Sequence, residues 1–134
     1  MATSKVDTIA ALIVTHLEQV TGLTAALGPI DNPQSHPFAM VRIDPGVDTQ
    51  FLYPQSYSDR GFEVVILIEG TKSDVSNTIQ TLWTHWTDNT RLAAMAAAGA
   101  WKFQPMTAEE SYDYEKQTTV GMITFDMRVR YAPS

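Results

Sequence analysis

Residues 118–131 read Thr118-Thr119-Val120-Gly121-Met122-Ile123-Thr124-Phe125-Asp126-Met127-Arg128-Val129-Arg130-Tyr131. Thr119, Gly121, Ile123, Phe125, Met127, Val129 and Tyr131 alternate without a miss against Thr118, Val120, Met122, Thr124, Asp126, Arg128 and Arg130. Alternation of this kind places one set on each face of a β-strand. Drawn out at about 3.3 Å per residue, the strand spans roughly 45 Å. A compact domain of this length has a radius of gyration of about 14 Å, so its diameter does not exceed that span. Two arrangements reconcile these lengths. Either the strand bends or bulges at Gly121 and wraps its own core, or one end projects as half of a long hairpin. In the second arrangement, unpaired backbone groups favour completion by another chain.

The segments before this strand set its context. Ala100–Met106 reads as a strand with Trp101 and Phe103 on one face. Thr107–Lys116 reads as a solvated acidic connector, with Glu109, Glu110, Asp113 and Glu115 interleaved by Tyr112 and Tyr114. Upstream, Gly61–Glu69 is a strand with Phe62, Val64, Ile66 and Ile68 on one face and Val65 and Leu67 on the other. A strand apolar on both faces is central or covered on both sides. Ser73 or Asp74 is placed to cap a helix over Asp74–Trp86, whose inner face is Val75, Ile79, Leu82, Trp83 and Trp86. A shorter helix over Thr90–Ala98, with Leu92 and Met95 inward, stops at Gly99.

Towards the N-terminus, Val6, Ile9, Ile13, Leu17 and Val20 recur at three- and four-residue steps, predicting an amphipathic helix over Lys5–Val20. Gly22 marks its stop, and Leu23–Leu27 is placed to add a short extra turn. A proline-rich connector, Gly28–Pro37, leads to a short strand, Phe38–Ile43, ended by the turn signal Asp44-Pro45-Gly46. Val47–Arg60 carries Phe51, Tyr53 and Tyr57 among polar residues, and Pro54 restricts any strand there to an edge. The order predicts one domain over residues 1–134 of the α+β class: a mainly antiparallel, mixed sheet with the N-terminal helix and a central helix pair on one face.

Composition narrows the chemistry. The chain has 134 residues, 44% hydrophobic and 18% charged, in the globular range. Cysteine is absent, which excludes disulfides, thiolate metal sites and a cysteine nucleophile. A net charge of −6 with only nine Lys and Arg argues against a surface that grips nucleic acid. Arg128 and Arg130 are the nearest approach to a basic pair. The longest apolar run, Val64–Ile68, is too short to cross a bilayer, and no secretory signal is expected. His16, His36 and His85 share no metal-binding spacing. Ser35, Ser56, Ser58 and Ser111 lack the glycine-flanked turn of a nucleophile. Glu109 and Glu110 lack the rigid scaffold that paired catalytic carboxylates need. Trp83, Trp86 and Trp101 form a stacking platform or part of a core, and without a basic groove beside them the core reading is the more economical. Neither an enzyme nor a metal or cofactor site is expected.

The chain resembles the tail terminator proteins of tailed bacteriophages, and more loosely the small neck and tail-completion proteins. The resemblance rests on the opening helix Lys5–Val20, the strand Arg60–Ile68, the helix Asp74–Trp86 with its successor Leu92–Met95, and the strand Val120–Tyr131. It implies a homo-oligomeric, hexameric ring at the head-proximal end of a tail. Such a ring ends tube polymerisation and joins the tail to the neck. Its partners would be the tail tube protein, a neck or head-completion protein and, in some tails, a sheath. DNA would pass its acidic channel without specific binding. A head-closure or connector protein, or a small ligand-binding α+β domain, are the alternatives. Two loops are expected to carry the contacts: Val47–Arg60 with Phe51, Tyr53 and Tyr57, and Thr107–Lys116 with Glu109, Glu110, Tyr112 and Tyr114. Tyrosines beside polar groups are enriched at interfaces; the alternative is ordinary surface loops. Arg128 and Arg130 complete the candidate contact residues.

Overall fold

A computed structural model describes residues 5–21, 23–28, 38–52, 57–86, 88–115 and 117–131. Gly22, most of the connector before Phe38 with His36 and Ser35, and Tyr53, Pro54, Ser56 and Lys116 lie outside the described residues. The elements run α1 (Lys5–Thr21), β1 (Thr24–Leu27), β2 (Phe38–Leu52), β3 (Tyr57–Gly70), α2 (Lys72–His85), α3 (Asn89–Ala97), β4 (Ala100–Asp113) and β5 (Thr118–Tyr131). The strands form one mixed sheet in the order β1-β2-β3-β5-β4, in which only β1 and β2 are parallel. The expected α+β architecture is present.

The apolar set of β5 does what its periodicity requires. Ile123, Phe125, Met127 and Val129 are buried against the helices, together with Val64, Ile66 and Ile68 of β3 and Ile9, Ile13 and Leu17 of α1. Ring packing ties α2 to the β4–β5 hairpin: Trp86 lies 5.4 Å from Phe103 and 6.1 Å from Phe125, which themselves stack at 4.4 Å. Such pairs add about 0.5–1.5 kcal/mol each beyond the area they bury. Caps stop the helices sharply. Thr71, not Ser73 or Asp74, caps α2 by accepting from the Asp74 N–H at 3.2 Å. Asp88 caps α3 through the Thr90 N–H at 2.6 Å, which holds its carboxyl below the usual carboxylate range. Gly99, with φ 109°, ends α3 in the left-handed region.

Several expectations give way. β5 neither projects nor bulges at Gly121: it pairs with β3 from Thr119 to Tyr131 without a register shift, and with β4 on its other side. Its backbone is satisfied within one molecule, so the edge open to a partner belongs to β4. Thr107–Asp113 is not a loop but the outer half of β4, pairing with Thr118–Thr124. Its acidic side chains favour solvent, yet its backbone completes β5. Thr24–Leu27 is a strand rather than a helical turn, because four residues cannot nucleate a helix while Phe38–Val41 offers them a ladder. Asp44-Pro45-Gly46 does not end β2. The register shift between Pro45 and Thr49 absorbs the proline and glycine, and pairing with β3 resumes to Leu52.

The two tryptophans of α2 are not both core. Trp86 is 1% exposed, whereas Trp83 is 42% exposed. Trp101 and Phe103 do not share a face either. β4 carries two bulges, and the extra residues are Trp101 and Met106. Both are turned out and nearly half exposed, while Ala100 and Phe103 are buried.

Candidate assembly surface

The helices occupy the face of the sheet that carries Gly121, Ile123 and Phe125. The opposite face is apolar at its centre. Met40, Leu67 and Met122 stand side by side on β2, β3 and β5, with Val65 and Thr124 buried one row below. The central position of β3 explains its two apolar faces; a covering layer on both is not needed.

β4 forms one margin of the sheet and β1 the other. Along β4 the edge is blunted over its first half by the two bulges and by Pro105, which has no N–H to offer. From Thr107 to Asp113 the ladder is regular, and the Thr107 and Thr124 hydroxyls meet at 2.6 Å across it. Here lie Glu109, Glu110, Tyr112 and Tyr114. Glu110 accepts a hydrogen bond from Ser76 Oγ of α2 at 2.6 Å. The Tyr112 and Tyr114 rings meet edge to face at 4.9 Å, and Tyr114 is 83% exposed. Gln117, with φ 57°, closes the turn that joins the two strands. An open groove of about 560 Å³ separates this tip from the start of α2, lined by Gly70, Thr71, Lys72, Glu110 and Tyr112 among others.

The other candidate residues lie at the opposite end of the sheet. Arg128 pairs across the ladder with Lys102 and Gly61, and Arg130 with Asp59. Register places the end of β2 and the start of β3 here too, since Leu52 pairs with Tyr57 and Ser58 with Tyr131. Phe51 and Tyr57 therefore stand at this end, while Tyr53 is outside the described residues. The Arg130 guanidinium sits 5.5 Å from the centre of the Trp101 ring, and Lys102 Nζ pairs with Asp126 at 2.9 Å. Ten residues of β4 separate the two ends, roughly 33 Å. The eight described candidates thus fall at two ends of the sheet, with Phe51 and Tyr57 of the first expected segment beside Arg128 and Arg130, and the second segment apart from them.

Trp101, Lys102 and Met106 were not among the sequence candidates. Alternation counted through Trp101 and Phe103 sends Trp101 inward, and only the bulge reverses it. Met122 and Val120, apolar residues on the otherwise polar register of β5, were the available signal for the half-buried apolar face.

Among the described residues no group of three or more His, Cys, Asp or Glu is placed to hold a metal ion. Among them, too, no helix is long and apolar enough to cross a membrane. His16 and His85 stand on different helices, as expected. His16 packs 5.8 Å from Trp86, and burial, reinforced by the Arg91 charge, pushes its pKa down.

No protein-family model and no curated protein matches the chain in sequence. Among solved structures, a chain from a "Virion of native gene transfer agent (GTA) particle" is similar, with a TM-score of 0.54 and 10% sequence identity. The match covers 92% of this chain and 92% of that one. The two share a fold.

Proposed function

We propose that this chain is a structural subunit of a phage-like virion that assembles into a hexameric ring at the head-proximal end of the tail. There it ends tube polymerisation and joins the tail to the neck. The observation that carries the reading is the fold shared, end to end, with a chain of a gene transfer agent virion. Two features of the chain support it. The margin formed by β4 leaves backbone groups for a neighbour, and the face bearing Met40, Leu67 and Met122 has apolar area to bury. The role is structural rather than catalytic. Self, the tail tube protein and a neck protein are the partners, with a sheath in contractile tails. An acidic ring lets DNA pass without holding it.

The test is solution mass by light scattering and negative-stain imaging, on the protein alone and mixed with purified tail tubes. A sixfold annulus capping tubes is expected. Binding to portal-bearing heads but not to tubes would reassign the chain to head closure. Subunits that stay solitary beside both would overturn the proposal.

A further inference from the structure

Charge is segregated along the β4–β5 hairpin. Glu109, Glu110, Asp113 and Glu115 outnumber Lys116 towards its tip, while Lys102, Arg128 and Arg130 outnumber Asp126, the partner of Lys102, towards its base. Those three cations are a third of the nine Lys and Arg in the chain, so the rest of the surface is more acidic than the net charge of −6 suggests. Copies of such a chain repel one another over most of their area. Electrostatics favours a contact between copies where unlike charges face. Tip against tip sets excess negative charge against its like, and base against base excess positive charge; tip against base brings unlike charges together. Each end also carries exposed aromatic area: Tyr112 and Tyr114 at the tip, and Trp101 under the Arg130 guanidinium at the base. Aromatic and arginine side chains dominate the energy of protein contacts.

We infer that copies of this chain meet head to tail, the acidic tyrosine tip of one hairpin docking on the Trp101–Arg130 base of the next. The site commits to a second copy of this chain because that copy supplies the complementary charge. A contact between two different surfaces is heterologous, and it closes into a ring when its rotation allows. The inference rests on the ring reading above and names the surfaces through which the ring closes.

The experiment uses two full-length charge reversals. In the first, Arg128→Glu and Arg130→Glu make the base acidic; in the second, Glu109→Lys, Asp113→Lys and Glu115→Lys make the tip basic. Circular dichroism first checks that each folds. Sedimentation then measures association, alone and on tail tubes. Each variant alone should associate at least about tenfold more weakly than the parent, through like-charge repulsion. Mixed in equal amounts they should associate again, because an alternating ring pairs basic tip with acidic base and acidic tip with basic base. Trp101→Ala, which leaves charge unchanged, should weaken association in the parent chain. Rings indifferent to both reversals, or a mixture no better than its components, would remove this contact and leave the ring standing. A parent chain that never self-associates, even on tubes, would remove the ring reading and the contact with it.

Discussion

Gly121 shows how tightly one position constrains its neighbours. A Cβ built there would collide with Val75 Cγ1 and lie 2.7 Å from Ile79 Cδ1. Val75 is fully buried, so it has nowhere to retreat. Gly121→Ala should therefore lift α2 from β5 and destabilise the fold by about 1–3 kcal/mol, as overpacked cores do. Chemical denaturation measures this directly. An unchanged midpoint would mean that α2 sits further from the sheet than described. His16 makes a different prediction at the same scale. Its Nδ1 has no hydrogen-bond partner, and burial with the nearby Arg91 charge holds its pKa below the ordinary 6.5. The unfolded chain thus takes up its proton at higher pH than the folded one. Stability should be level in His16 above about pH 6.5 and fall as pH drops below it, flattening once the folded form is protonated too. In His16→Asn that part of the pH dependence should vanish, while the separate loss from Asp88 at more acid pH remains. Thermal melts of both proteins across this range decide it.

At the scale of elements, the hairpin carries the interest. Read as a connector, Thr107–Asp113 is dispensable to the fold; as a strand, it closes the ladder of β5. Deleting residues 108–112 should bare the edge of β5 from Thr119 to Ile123, next to the half-buried side chain row of Met122. The product should lose stability and aggregate, whereas a deleted loop would leave melting unchanged. Melting temperature and light scattering separate the two. The residues here explain why this strand was hard to see: Ala108, Glu109, Glu110, Ser111 and Asp113 have low strand preference, and their side chains face solvent. Its strand character comes from pairing alone. β2 hid its length for a related reason, since Asp44-Pro45-Gly46 has turn chemistry that a bulge can accommodate as readily as a turn.

Across the whole molecule, charge placement matters more than charge sum. Basic residues at the base of the hairpin form a patch, but Asp126, paired with Lys102 at 2.9 Å, interrupts it. Counterion release from so few cations gives little affinity for a phosphate backbone. The protein should not retard duplex DNA in a gel at physiological salt, and retardation abolished by Arg128→Glu and Arg130→Glu would recast the base as a nucleic-acid surface.

Periodicity in the chain was sufficient for α1, α2, α3, the two central strands and the α+β class, because those elements bury a face and burial imposes its spacing on sequence. The candidate contact residues were legible only as residue types: tyrosines among acids, and a pair of arginines. Their division between two ends of the hairpin came from strand register. The outward turn of Trp101 came from a bulge, and the saturation of β5 came from having a partner on each side. These are relations between distant segments that backbone hydrogen bonding sets, and main-chain groups are the same in every residue but proline. No side-chain pattern records them, so only the folded sheet decides them.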